Sequence, residues 1–219
     1  MGAQPKSQES VTTVLRILEE DIVLGRLYPR ERLVEDQLAK RFGIKRHVVR
    51  QALSGLETAG LVAREGGKGV MVREFSVDEV TQLYQMREFV EGQAAMMIVL
   101  PVETADLAQL EKITRDYAEA VAQLNMQGII EFNKLFHQVL YRLCGNNFLA
   151  DVIDSMAQKA NLIRFSSASD PNYLTQARDE HFGIFEALKA KDNKRLARLC
   201  IEHLQPSRRL YLEKRARLN

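Results

Sequence analysis

The sequence of 219 residues has few cysteines, and no apolar run approaches the roughly 20 residues that a membrane-spanning helix needs. We therefore expect no membrane partner. Residues 1–10 lack a cationic start followed by an apolar core, so we expect no secretory signal. The two cysteines, Cys144 and Cys200, form no CxxC pair or other ligand spacing. We expect them to be buried free thiols of a cytoplasmic protein.

Sequence signatures of common catalytic sites are also missing. The chain has no HExxH zinc motif, no glycine-rich phosphate loop and no nucleophile elbow, so we expect that it is not an enzyme. Beyond Glu74 the sequence shows long helical patterns and no strand pattern. Any β-sheet should therefore lie in the first third of the chain.

The net charge of +2 conceals an uneven distribution. Residues 1–74 carry 13 lysines and arginines against 10 acids, whereas the remaining residues carry 18 against 19. The stretch between Asp36 and Glu57 holds no acid but contains five cations: Lys40, Arg41, Lys45, Arg46 and Arg50. Such a cationic patch is typical of proteins that bind a polyanion, although charge alone is equally compatible with a solvated surface.

The first third of the chain has the pattern of a winged helix-turn-helix. Apolar residues at helical spacing predict three helices, and two β-prone runs around a glycine-rich turn predict a hairpin. The predicted elements are helices over residues 11–24, up to Gly43 and up to Gly60, then strands over residues 61–64 and 70–73. Three helices followed by a hairpin are the elements of this DNA-binding motif.

The rest of the chain is predicted to be all-helical. Six helices with short connections indicate an antiparallel bundle in a mostly α protein. They are predicted over residues 76–100, 104–124, 127–143, 148–166, 171–190 and from about 194 to 215. We accordingly divide the chain into a flexible tail (1–9), a winged helix-turn-helix domain (10–74) and an all-helical domain for effector binding and dimerisation (75–219).

One face of the third predicted helix is apolar and the other is cationic. Val49 and Leu53 should face the small core, whereas Arg46, His47 and Arg50 lie on the open side. The first residues of this helix reach base edges in the major groove, and an arginine fork matches the O6 and N7 acceptors of guanine. Two further cations should contact the DNA. Arg32, before the second helix, should meet the backbone, and Lys68, at the wing tip, should approach a phosphate or the minor groove.

Three of the four histidines, His137, His181 and His203, lie in the predicted helical domain. His181 and His203 flank one interhelical turn and should both lie about 14–15 Å from it. Asn133 precedes His137 by about one helical turn and shares its face. These four side chains can hold a divalent ion such as zinc, nickel or manganese, unless the histidines are unrelated. Glu180 adjoins His181 but should point about 100° away from it.

The segment LYPRERLVEDQLAKRFGIKRHVVRQALSGLETAGLVAREGGKGVMV resembles the DNA-binding domain of GntR-type bacterial transcription regulators. That family typically shows an LPPGERL-like start, an ExxLA helix, a GVSRxPVRxAL recognition segment, a GL pair and a glycine-containing wing. The resemblance implies that Arg32, Arg46 and Arg50 contact operator DNA. It also implies that the wing completes the contact through Gly67, Lys68 and Gly69.

Three positions depart from that family pattern. Lys45 stands where serine is usual and adds a charge beside the bases, so we include it among the DNA contacts. Val48 replaces a usual proline, and Arg30 replaces a usual glycine. These differences leave the operator sequence open but not the binding of DNA.

Two later segments, EFNKLFHQVLYRLCGNNFL and DEHFGIFEALKAKDNKRLARLCIEHL, resemble the helical ligand-binding FCD domain of the FadR-type branch of that family. In its metal-binding members an aspartate and three histidines hold the ion. The resemblance assigns these ligand positions to His137, His181 and His203. Asn133 stands where aspartate is common, and a neutral amide is a weaker ligand than a carboxylate.

The same resemblance implies that Arg87 points into the cavity of the helical domain. There its fork would clamp an effector carboxylate in a bidentate manner. The alternative is a pair with Glu91, which lies four residues further along the same helix. Arg164 is a second cation that we expect to face the cavity.

From these patterns we expect a cytoplasmic, ligand-responsive repressor. It should bind a pseudo-palindromic operator as a homodimer, because two identical modules read half-sites related by a two-fold axis. A small organic acid, held by the metal and Arg87, should change the affinity for the operator. Two alternatives remain: a constitutive DNA-binding dimer with a vestigial pocket, and a histidine-ligated metalloenzyme.

Overall fold

The computed structural model describes residues 5–67, 69–165 and 170–217 of the chain. The chain divides into two compact units, Met1–Ser76 and Val77–Asn219. The fold is mostly α-helical with a small antiparallel sheet in the first unit, as the sequence predicts. None of the helices in the described ranges is long and apolar enough to cross a membrane.

The first unit is a winged helix-turn-helix. Its elements are α1 (Pro5–Val23), β1 (Arg32–Leu33), α2 (Glu35–Phe42), α3 (Arg46–Thr58), β2 (Val62–Glu65) and β3 (Gly69–Val72). Strand β3 lies between β1 and β2 and pairs antiparallel with both. The sequence predicts only the β2–β3 hairpin, because a strand of two residues is too short to show alternation.

The turn between α2 and α3 is compact because Gly43 adopts the left-handed conformation, with a φ of 63°. The Gly43 N–H donates a hydrogen bond to the carbonyl oxygen of Ala39 and closes α2. Helix α3 packs against α1, and its fully buried residues include Val49 and Leu53. The opposite face of α3, which carries the cations, is therefore exposed.

Helix α1 begins earlier than the sequence predicts. Residues 5–9, assigned above to a flexible tail, are helical, whereas residues 1–4 of that tail lie outside the described residues. The apolar stripe begins only at Val11, but no glycine or proline interrupts the chain between Pro5 and Gly25. Proline also suits the first turn of a helix. The helix can therefore extend beyond the residues that pack on the core.

Arg30 has an unusual backbone for a residue with a side chain. Its φ of 66° lies in the left-handed region, which costs an L-residue roughly 1–2 kcal/mol and costs glycine almost nothing. The structure thereby explains why glycine is usual at this position in the family that the sequence resembles. Arg30 itself is exposed.

The second unit consists of helices in the described ranges. They are α4 (Val77–Met97), α5 (Thr104–Ala122), α6 (Met126–Arg142), α7 (Asn147–Phe165), α8 (Pro171–Lys189), α9 (Asn193–Glu202) and α10 (Gln205–Ala216). The final predicted helix is divided into α9 and α10. Pro206 causes this division, because it has no N–H to donate to the carbonyl oxygen of Glu202.

The helices of the second unit enclose a common apolar core. Helix α4 packs against α7 and α9, and α5 packs against α6 and α8. The core contains Ala94, Phe136, Leu140, Leu188 and Leu196 among other buried side chains. Helices α8 and α9 are joined by the short turn after Lys189 and pack against each other. This hairpin brings His181 and His203 to a similar level, as the sequence predicts.

Candidate functional site

The surface of α3 separates cations from core residues. Lys45, Arg46, His47 and Arg50 are all exposed. The buried residues of the helix are Val48, Val49, Ala52, Leu53 and Leu56. The structure therefore brings four of the predicted DNA contacts together at the start of one helix, where a recognition helix reads base edges.

Two of these cations are paired with acids at the start of α2. The Arg50 guanidinium donates two hydrogen bonds to Glu35, at 3.1 and 2.9 Å, and Arg46 forms an ion pair with Asp36. Hydrogen bonding to Arg50 lowers the pKa of Glu35. The sequence did not reveal these pairs, because they join two helices across a turn. Such exposed pairs contribute little to stability, so DNA phosphates can replace the acids.

The wing places Arg32 beside its tip. In β1, Arg32 lies opposite Met71 of β3, and its guanidinium lies about 3.5–4.0 Å from where a side chain on Gly69 would begin. Gly67 and Gly69 have φ angles of 77° and 87°, which favour glycine. Lys68, the predicted wing contact, lies outside the described residues. Arg32 and the wing glycines therefore form one exposed edge of the unit.

Three histidines from three helices meet inside the second unit. His137 lies on α6 and His181 on α8, while His203 caps the end of α9. One nitrogen from each ring lies within 4.8 Å of the others. All three residues are buried. The structure thus brings together the histidines that the sequence proposed as ligands, and excludes the alternative of three unrelated positions.

The histidine cluster holds nitrogen atoms without partners. Both ring nitrogens of His137 and of His181 are buried and form no hydrogen bond within the described part of the chain. A buried polar atom left unsatisfied costs about 1–3 kcal/mol. Burial lowers the pKa of both rings well below the usual value, and the neighbouring His203 and Arg164 lower it further. Neutral imidazole is the form that binds a metal ion.

These residues fit a divalent metal ion by their chemistry. Three neutral imidazoles are a ligand set suited to a divalent ion such as zinc, nickel or manganese, and they leave further coordination positions open. Asn133 is buried on α6, about one turn before His137. The amide oxygen of Asn133 would be a weaker fourth ligand than a carboxylate. The ligands can therefore hold an ion and leave a position for a second molecule.

Glu180 contacts His203, one member of the histidine cluster. Its Oε2 lies 2.7 Å from Nδ1 of His203, and its Oε1 accepts a hydrogen bond of 2.8 Å from Gln176. The sequence led us to expect that Glu180 faces away from His181. That expectation does not hold for the site as a whole, because the carboxylate meets His203 at the end of the neighbouring helix. A contact between two helices gives no signal in the sequence.

Arg87 is almost fully buried and is partly paired. Its Nε donates to Glu91 Oε1 at 2.8 Å, and the other oxygen of Glu91 accepts a 2.8 Å hydrogen bond from the hydroxyl of Tyr141. Burial opposes the charge of Arg87, but Glu91 raises its pKa overall. Its Nη1 is buried without a partner in the described ranges. Arg87 therefore forms the pair with Glu91 that the sequence left as the alternative, while its Nη1 has no partner among the described residues.

Arg164 is a second buried cation. It lies on α7 with an exposed fraction of 6%, and no ion pair or hydrogen bond joins it to the residues that the structure describes. Burial lowers its pKa, and the charge of Arg87 lowers it further. The charge of Arg164 also acts on His137 and His181. The two arginines and the histidines therefore belong to one interior region with excess positive charge.

Two family models match this chain. A family model described as "Bacterial regulatory proteins, gntR family" matches residues 11–72, and a model of the FCD domain matches residues 82–206. The HTH-type transcriptional repressor RspR of Escherichia coli K12 is 26% identical, over 92% of this chain and 87% of the relative. The Nta operon transcriptional regulator of Aminobacter aminovorans is 24% identical, over 81% and 82%.

Solved structures share the fold along nearly the entire chain. E. coli McbR/YncC has a TM-score of 0.78 at 22% identity and covers 94% of this chain and 98% of its own. A putative GntR transcriptional regulator from Rhodococcus sp. RHA1 has a TM-score of 0.76 at 24% identity, with coverages of 93% and 97%. The family models confirm the resemblance found in the sequence, and the solved structures confirm the fold.

Proposed function

Because this chain belongs to the GntR family of bacterial regulatory proteins and carries an FCD domain, we propose that it is a ligand-responsive repressor. Its family makes it a DNA-binding transcription regulator with an effector domain. The ligand in this proposal is a small organic acid that binds in the second unit, with help from a divalent metal ion. The regulator acts in the cytoplasm on a pseudo-palindromic operator.

The observation that carries this proposal is the set of unpartnered nitrogens in the second unit. Four histidine nitrogens and one guanidinium nitrogen are buried without hydrogen bonds among the described residues. Each would cost free energy if nothing ever bound to it. A metal ion satisfies one nitrogen of each ring, and an anion satisfies the free donor of Arg87. The ion supplies positive charge that attracts and orients the ligand.

The charge of the interior supports an anionic ligand. Glu91 neutralises Arg87, but Arg164 has no acidic partner in the described part of the chain. A buried cation without a partner is costly, and a carboxylate restores the balance. An arginine fork also matches the two oxygens of a carboxylate. Arg87 and Arg164 are accordingly proposed as the residues that bind the effector.

The first unit supports binding to double-stranded DNA. The proposed contacts are Arg32, Lys45, Arg46, His47, Arg50, Gly67, Lys68 and Gly69. The exposed cations at the start of α3 would enter the major groove, and the wing would follow the backbone. RspR, which is named a repressor, supports repression as the outcome. The effector would then release the operator by preferring the arrangement of the dimer that binds DNA poorly.

The exposed face of α4 supports a homodimer. From Gln82 onward every exposed residue of this helix falls within one sector of about 120°, and the whole helix belongs to the described part of the chain. These residues are all uncharged: Gln82, Gln85, Met86, Phe89, Gln93, Met96 and Met97. Phe89 is 66% exposed. A two-fold contact places a surface against its own copy, so a face without charges avoids repulsion. We propose that a second copy of this chain covers it.

The proposed function is tested by a thermal-shift screen of small carboxylic acids, with and without added Zn²⁺. A ligand that binds only the folded chain raises the melting temperature. We expect metal analysis to find about one ion per chain, and we expect one class of acid to raise the melting temperature of the metal-loaded chain by several degrees. His181→Ala should lose the metal and the response to the acid.

Two other outcomes would favour the alternative functions. A chain that takes up no metal and responds to no acid, yet still binds its operator, would be a constitutive DNA-binding dimer. Hydrolysis of an acid derivative by the metal-loaded chain would instead favour the metalloenzyme. Phe89→Glu is the matching test of the dimer, because it should yield monomers in sedimentation without loss of the metal.

A further inference from the structure

We propose that Glu180 is a positioning residue that prepares His203 for metal binding and supplies the negative charge that Asn133 lacks. This inference rests on the proposed metal site. Glu180 was not among the candidate ligands from the sequence, and it lies outside the three-histidine cluster itself.

The contact with His203 determines which ring nitrogen is available. Oε2 of Glu180 lies 2.7 Å from Nδ1 of His203. A carboxylate only accepts hydrogen bonds, so Nδ1 carries the proton and donates it. The remaining nitrogen, Nε2, then keeps its lone pair for a metal ion. His203 differs in this respect from His137 and His181, whose ring nitrogens have no partners among the described residues.

The carboxylate of Glu180 is itself held in place. Its Oε1 accepts a hydrogen bond from Gln176, one turn earlier on α8, while its Oε2 is engaged by His203. The side chain is about three-quarters buried, with 24% of its surface exposed. Contacts with Gln176 and His203 therefore fix the orientation of the carboxylate. This geometry suits a carboxylate that orients a ligand rather than one that binds the ion directly.

The charge of the region gives Glu180 a second role. The ligand set of three histidines and Asn133 is neutral, so a bound divalent ion keeps its full charge. Arg164 adds a further positive charge that acts on His137 and His181. Among the described residues, the Glu180 carboxylate contacts the cluster through His203, whereas Glu91 is occupied by Arg87 and Tyr141. A negative charge next to His203 lowers the cost of holding the ion.

The first test compares Zn²⁺ affinities of full-length variants by competition with a chelator. Carboxylates that orient a metal-binding histidine typically contribute about 10–100-fold in affinity, so Glu180→Gln should weaken Zn²⁺ binding by that factor. Asp179→Asn is the matched control. It removes an adjacent carboxylate that pairs with Arg178, and its Zn²⁺ affinity should equal that of the unsubstituted chain.

The second test does not require metal. Long-range ¹H–¹⁵N spectra of the metal-free chain should show the Nδ1–H tautomer of His203, and Glu180→Gln should shift the ring toward the Nε2–H form. Equal Zn²⁺ affinity of Glu180→Gln and the unsubstituted chain, or an Nε2–H tautomer in the latter, would overturn the role of Glu180. Absence of Zn²⁺ binding by the unsubstituted chain would instead overturn the metal site. Unchanged melting of the metal-free variants excludes a folding defect.

Discussion

The two units carry arginines in opposite circumstances. Arg46 and Arg50 in the first unit are exposed, and each is paired with an acid of α2. Arg87 and Arg164 in the second unit are buried, and among the described residues only Arg87 is paired with an acid, Glu91. Both pairs of arginines are proposed to bind anions. The surroundings of the charge therefore determine how each site behaves when its anion is absent.

The two pairs of arginines differ in which groups satisfy their charges when no anion is bound. Water and the α2 acids satisfy the exposed arginines, so the DNA-binding surface is stable without DNA. Neither is available to the free donor of Arg87, and burial raises the cost of each unpaired charge. The proposed DNA surface can therefore release its partner freely, whereas binding of an anion would stabilise the proposed interior site. This contrast suits a regulator that leaves DNA upon binding a small molecule.

The largest effect on stability is expected when the buried pair of Arg87 and Glu91 is broken. Glu91→Gln leaves Arg87 without a compensating charge beside Arg164, and removal of one partner from a buried pair typically costs about 3–5 kcal/mol. We expect the free energy of unfolding of the second unit to fall by that amount in urea titrations followed by circular dichroism.

The matched control for that prediction is Glu35→Gln, which removes the acid from the exposed pair with Arg50. It should leave the free energy of unfolding almost unchanged. If the two substitutions have similar effects on stability, burial does not distinguish the two units and the comparison fails.

An intermediate effect is expected on the exposed side. Arg46→Ala and Arg50→Ala should each lower the affinity for a duplex selected from random sequences by about 10–100-fold, because each removes an arginine fork from the groove. Metal content and dimerisation should be retained. Fluorescence anisotropy at a fixed salt concentration provides the measurement.

Arg115→Ala serves as the control for the DNA contacts. Arg115 is an exposed arginine on α5 that pairs with Glu111, and its loss should not affect binding to the same duplex. Unchanged affinity in both α3 variants would contradict the assignment of α3 as the recognition helix.

The smallest expected effect concerns the backbone of the first unit. Arg30→Gly should raise its free energy of unfolding by about 0.5–1 kcal/mol, because glycine relieves the left-handed conformation but loses more entropy on folding. Arg30→Ala retains the strain, so it should bring no gain in the same urea titration. A gain in both variants would mean that the arginine side chain, rather than the backbone, is unfavourable.

Local patterns account for what the sequence predicts well. Helical periodicity predicts α3 and its division into apolar and cationic faces, and the equal distance of His181 and His203 from one turn predicts their meeting. Contacts between separate elements are not predicted, because nothing in the spacing relates the residues involved. The contacts of Glu35 with Arg50 and of Glu180 with His203 belong to this class.

Helix α4 has two sides with different neighbours. On its inner side it carries Arg87, and only two positions further along the chain Phe89 points outward. Its 21 residues form a rod about 30 Å long, which begins directly after the winged unit. A slight rotation of this rod about its long axis, drawn by an anion at Arg87, would displace the outward aromatic ring in the same movement. Anion binding in the interior would then change the exposed face of α4 directly, without a series of contacts between intervening side chains.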